Sequence, residues 1–159
     1  MKFKKISYII VVVICVFLFY DFKNDLVLAE IKIIENGIVY KQKADKTFSV
    51  IGFENEQNPQ NMIEIPDKIV ISIPGNVNVH FLVTEISDGA FSNNKNITKI
   101  ILPPSINKIG SLAFSMCYNL EELIFIDSAN CQLEEIGVAA FGKTNLKALK
   151  IPSSIKYIR

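Results

Sequence analysis

Histidine is almost missing from this chain: 159 residues contain one, His80. A Ser-His-Asp device would have to be built on that single side chain, and no G-x-S-x-G accompanies it. C-x-x-C and H-E-x-x-H are also absent, as is any His/Cys cluster of zinc-binding spacing. Neither G-x-x-x-x-G-K-[ST] nor G-x-G-x-x-G occurs, and the seven glycines are scattered as turn residues are. These gaps argue against metal, nucleotide and triad chemistry, and no cofactor is expected. A surplus of basic charge is lacking too. Lys and Arg number 17 against 16 Asp and Glu, which gives +1 overall and no footprint for nucleic acid. The three cysteines are too few for a disulfide framework.

Apolar residues are plentiful. They make up 50% of the chain, too many for a disordered polymer, and the length suits one modest domain. Part of the excess lies at the start. Met1–Lys5 carries three lysines, Ile6–Tyr20 runs fifteen residues without a charge, and Val27 and Ala29 occupy the −3 and −1 places of a cleavage site. A basic head, an apolar run and a small residue form a secretory signal peptide over residues 1–29. Fifteen residues fall short of the roughly 20 that span a bilayer, so cleavage is expected, with an uncleaved N-terminal anchor as the alternative. Contact with membrane would arise only through that segment. Ile14 is too bulky for a lipid-anchor signal at Cys15. Cleavage removes four lysines and two aspartates, leaving 13 basic and 14 acidic residues. Cys117 and Cys131 remain, either as one disulfide or as two small buried apolar side chains.

The remaining apolar residues repeat. At a shift of 23, and then of 26 or 27 past the insertion "IDSANCQ", Ile86, Ile109 and Ile136 correspond. So do Ala90, Ala113 and Ala140, followed by Phe91, Phe114 and Phe141. Ile97, Leu120 and Leu146 come next, then Ile100, Leu123 and Leu149, then Leu102, Phe125 and Ile151. A period in the twenties with an L-x-x-L-x-L core predicts a solenoid of stacked coils. No coil can bury its apolar residues alone, so each must lean on the next. The L-x-x-L-x-L piece predicts a parallel strand, because residues two apart face the same way. The I-x-x-x-A-F piece predicts the opposite wall, a short extended stretch followed by a tight helical turn. Proline ends the strand in "IPDKI", "LPPSI" and "IPSSI", where its missing N–H stops ladder pairing.

The repeats resemble the BspA-like leucine-rich repeat family, whose loose pattern is I-G-x-x-A-F-x-x-C-x-x-L-x-x-I-x-I-P-x-S-I-x-x-I. Ile109, Gly110, Ala113, Phe114, Cys117, Leu120, Leu123, Ile151, Pro152, Ser154 and Ile155 fill its places in one copy or another. Asn94 stands at the Cys place in the first copy. The resemblance implies a leucine-rich repeat solenoid of parallel strands, with extended or short helical convex segments. It also implies a secreted or cell-surface protein linked to adhesion and protein binding.

Three segments follow: residues 1–29 as signal or anchor, 30–62 as an N-terminal β cap, and 63–159 as about three repeats ending in mid-repeat. The cap is expected as a hairpin of strands 38–43 and 47–53, covering an otherwise open apolar end. Glu54–Asn61 reads as a solvated loop, and "VNVHFLV" as a strand inserted after a Pro74–Gly75 turn, with His80 facing solvent or partly packed.

One open sheet face is the expected binding surface. Its residues are Thr98, Lys99 and Ile101, then Glu121, Glu122 and Ile124, then Lys147, Ala148 and Lys150. Lys99, Glu122 and Ala148 should neighbour one another across strands, as should Thr98, Glu121 and Lys147. The expected function is non-catalytic recognition of an extracellular protein or glycan. Two alternatives stand beside it. One is a scaffold fragment of a longer repeat protein with no ligand of its own. The other is an extracellular hydrolase using the pairs Glu121–Glu122 and Glu134–Glu135. Asn96–Ile97–Thr98 fits an N-glycosylation acceptor, relevant only in a eukaryotic secretory pathway.

Overall fold

The computed structural model describes residues 32–55, 59–73 and 77–159. The signal segment, the Pro74–Gly75 turn and part of the Glu54–Asn61 loop lie outside the described residues. The described chain is built of strands: β1 Lys32–Glu35, β2 Ile38–Gln42, β3 Phe48–Phe53, β4 Met62–Glu64, β5 Lys68–Ile73, β6 Val77–Ile86, β7 Lys99–Leu102, β8 Lys108–Ile109, β9 Glu122–Phe125, β10 Glu135–Ile136 and β11 Tyr157–Ile158.

Two parallel ladders face each other across the core. One runs β4-β7-β9 and pairs Ile63 with Ile100 and Ile100 with Leu123. The other runs β3-β6-β8-β10-β11, in which Ile86, Ile109, Ile136 and Ile158 are successive partners. The side chains between the ladders are the repeated apolar residues, and burial is complete in the middle coils. Ile97, Ile100, Leu102, Ile109, Phe114 and Leu120 are all fully enclosed. Burial falls toward the last coil, where Leu146 and Leu149 are half-buried and Ile151 is 48% exposed.

The aromatic rings form one file. Phe91 and Phe114 stack at 5.3 Å and 11°, and Phe114 and Phe141 at 5.5 Å and 5°. Phe53 heads the file, edge-on to Phe91 at 5.1 Å. It comes from β3, upstream of the aligned repeats. Such offset and edge contacts add about 0.5–1.5 kcal/mol each beyond the area they bury.

The turns after each short strand of the second ladder differ from expectation. A helical turn was predicted there, and the described residues contain no helix. The backbone donors explain why. Ala113, Ser115 and Cys117 donate to the carbonyls three residues back, at Gly110, Leu112 and Phe114. The N–H groups between them, of Leu112, Phe114 and Met116, donate instead to Val138, Ala140 and Gly142 of the next coil. One coil earlier, Gly89, Phe91 and Asn93 donate to Ser111, Ala113 and Ser115. A helix would keep every donor for itself. Diverting alternate donors outward requires left-handed residues, and they recur at equivalent places: Gly89, Leu112 and Ala139, then Asn93, Met116 and Lys143. For residues other than glycine this costs roughly 1–2 kcal/mol apiece, offset by a bond to the adjacent coil.

Close stacking also dictates Gly110 and Gly137. A Cβ at Gly110 would meet the Asp88 backbone N at 2.5 Å, and one at Gly137 would meet that of Ser111 at 2.5 Å. Ser105 Oγ donates to Val83 O at 2.8 Å, and Ser154 Oγ to Leu133 O at 2.7 Å, so the serine two after Pro103 and after Pro152 ties its coil to the one before. Cys117 and Cys131 are buried and unbridged. Cys117 Sγ donates to Phe91 O, and burial pushes its thiol up to about 11. Asn94, at the equivalent place, accepts from the N–H groups of Asn96 and Ile97 instead.

Before the coils lies an antiparallel meander, β1-β2-β3. Asn36 and Gly37 both have positive φ, which is the two-residue turn that matches strand twist. This first hairpin was not foreseen. β5 and β6 form a second hairpin, longer than the single inserted strand expected, and His80 is exposed on β6.

Replacing Phe114 by Ala is expected to cost roughly 3–5 kcal/mol, and Phe141 by Ala less, since Phe141 is only half-buried at the end of the file. Urea unfolding of both variants checks this. Equal losses, or a Phe114 loss below about 1 kcal/mol, would contradict the packing described.

Candidate functional site

The outward face of the β4-β7-β9 sheet is the candidate site. Parallel register sets its rows. Met62, Lys99 and Glu122 stand side by side, and so do Glu64, Ile101 and Ile124. Lys99 Nζ lies 3.0 Å from Glu122, as a cross-strand pair of opposite charge should. At the strand entrances, Glu121 N donates to Thr98 O, and Thr98 Oγ1 donates to Asn61 O. Met62 is 50% exposed and Ile124 38%, so the face carries apolar atoms between its charges.

Six of the nine expected face residues therefore lie together: Thr98, Lys99, Ile101, Glu121, Glu122 and Ile124. Met62 and Glu64 join them and were not anticipated. Their strand reads "MIEIP", which carries the same apolar spacing and strand-ending Pro as "KIILP", and that was the available signal.

Lys147, Ala148 and Lys150 sit differently. They form no strand beside β9, and the sheet stops there. The coil starts in register. Asn145 N donates to Leu120 O at 3.0 Å, and Lys147 Nζ approaches Glu121 at 3.5 Å. Beyond that point the chain parts from β9. Among the described residues no backbone bond joins residues 146–153 to β9. A cleft of about 750 Å³ opens between the two. It coincides with the widened period. Where other coils end their strand with Pro, this one continues through Ile126 into a turn closed by Asp127 and Asn130, and Ser128 of that turn lines the cleft.

The glutamates of the hydrolase alternative are all engaged with cations. Glu121 meets Lys147 at 3.5 Å and Glu122 meets Lys99 at 3.0 Å. Glu134 meets Lys156 at 2.8 Å and Glu135 meets Arg159 at 3.5 Å. A general acid instead relies on an apolar pocket that raises its pKa. Among the described residues, no group of three or more His, Cys, Asp or Glu side chains could hold a metal. No helix among them is long and apolar enough to cross a membrane.

Two parallel ladders, one short and one open, joined by stacked Ala-Phe turns, define a leucine-rich repeat solenoid. The chain belongs to the family described as the BspA type leucine rich repeat region, which matches residues 41–159 in six copies. That span begins within β2 and so includes the Phe53 that heads the ring file. Solved structures of similar shape agree. A leucine-rich repeat protein from Bacteroides capillosus has a TM-score of 0.66 at 22% identity, over 80% of this chain and 87% of that one. A leucine rich cell surface protein from Faecalibacterium prausnitzii scores 0.66 at 23% identity, over 82% of this chain and 33% of the other. The pneumococcal vaccine antigen PcpA scores 0.58 at 29% identity, over 80% of this chain and 34% of its own. The chain thus spans about one third of the length of the last two. No curated protein matches it.

Reversing one charge in the Glu121–Lys147 pair should loosen the entrance to the cleft. Glu121→Lys is expected to speed amide hydrogen exchange at Asn145, whose N–H bonds Leu120 O, and the double swap with Lys147→Glu should restore it. Exchange at Asn145 indifferent to both changes would show that the pair does not hold this segment.

Proposed function

We propose that the protein is an exported, non-catalytic recognition module that binds an extracellular protein or glycan through its open sheet face. The observation that carries this reading is the solvent-open β4-β7-β9 face, with Met62 and Ile124 half bare beside the Lys99–Glu122 pair. Methionine is among the residues enriched in contact surfaces relative to the rest of a protein's exterior. Solenoids present such faces as extended binding surfaces. Two similar structures, a cell surface protein and a vaccine antigen, support the surface location. In this reading residues 1–29 direct export, and the β1-β2-β3 meander caps the first coil.

The test places the protein on arrays of extracellular-matrix proteins and of glycans. Met62→Glu with Ile124→Glu should weaken whatever binding the wild type shows by at least tenfold. Leu112→Glu with Val138→Glu, exposed on the turns across the core, should leave it unchanged. Binding lost with the second pair and kept with the first would overturn the reading, as would an array on which the wild type binds nothing.

A further inference from the structure

We propose that the cleft beside β9 takes an extended peptide, which adds as a strand to the open edge of the sheet. This rests on the recognition reading and narrows the partner to a protein segment.

The backbone argues first. Glu122 N and Ile126 N donate back to Thr98 O and Leu102 O, at 3.2 and 3.1 Å. Successive residues of a parallel strand direct their N–H and C=O groups to opposite edges. The groups of Leu123 and Phe125 therefore point away from β7, into the cleft. No strand among the described residues meets them. Donors and acceptors at strand spacing match an extended backbone, the mode of β-strand addition.

The opposite wall is tethered at both ends. Residues 146–153 are anchored at one end by Asn145 N to Leu120 O, at 3.0 Å. At the other end Ser154 Oγ donates to Leu133 O at 2.7 Å and Lys156 N to Glu134 O at 2.8 Å. Pro152, in the same wall, is buried. Between these anchors the cleft has a volume of about 750 Å³, within the roughly 300–1,000 Å³ of ligand sites.

Side chains give the occupant its character. Ile124 and Ile151, 38% and 48% exposed, offer apolar contact from the two walls. Glu121 and Glu122 already have cations, at Lys147 and Lys99. Lys150, exposed on the far wall, has no such partner among the described residues. The unmatched charge in the slot is therefore positive, and the segment it fits carries an acidic residue.

The probe is a set of acetylated eight-residue peptides alternating valine and threonine, each with one aspartate, one lysine or neither. Aspartate members are expected to bind most tightly, with at least a threefold loss on Lys150→Gln. Binding should slow amide exchange at Leu123 and Phe125 at least tenfold and leave Ile124 unchanged. N-methylation of alternate peptide amides should abolish binding in one of the two registers. Peptides that do not bind, that bind equally in both N-methylated forms, or that leave Leu123 and Phe125 unprotected would overturn the inference. If the Met62→Glu/Ile124→Glu variant still loses array binding in that event, recognition through the face survives and only the strand addition fails. If array binding is also absent, both fall.

Discussion

Every coil of this protein shares its backbone hydrogen bonds with the next. In the turns, alternate N–H groups close a local loop and reach across to the neighbouring carbonyl, as Leu112, Phe114 and Met116 do to Val138, Ala140 and Gly142. In the walls, β7, β8, β9 and β10 pair only with equivalent strands one coil away. A single coil would leave those groups unpaired and its phenylalanine bare. Stability is then a property of the stack, the sum of nearest-neighbour contacts that solenoids show.

That dependence also explains what could be read in advance. Phe91, Phe114 and Phe141 recur because each ring needs another at the same height, and their stacking follows from periodicity alone. The register of Lys99 beside Glu122 followed in the same way. The left-handed Leu112 and Met116 did not. Neither residue type favours positive φ, and only the diverted donors of the turn demand it. Phe53 was hidden for a different reason. Its coil is interrupted by the β5-β6 hairpin, which shifts the spacing by which a repeat is recognised.

The candidate face shows where periodicity runs out. Thr98 through Ile124 keep a constant period and lie where it places them. Lys147, Ala148 and Lys150 follow a coil several residues longer, and a local surplus of chain lets the backbone leave the ladder after one bond and one ion pair. The interruption turns a continuous sheet into a sheet with an edge and a slot beside it.

Energetic coupling between adjacent rings is the most direct test of this account. In a double-mutant cycle of Phe91→Leu and Phe114→Leu, followed by urea unfolding, rings stacked at 5.3 Å should show a coupling of about 0.5–1.5 kcal/mol. Strictly additive losses would mean that the two coils do not lean on each other through these rings, and the stacked architecture would lose its physical basis.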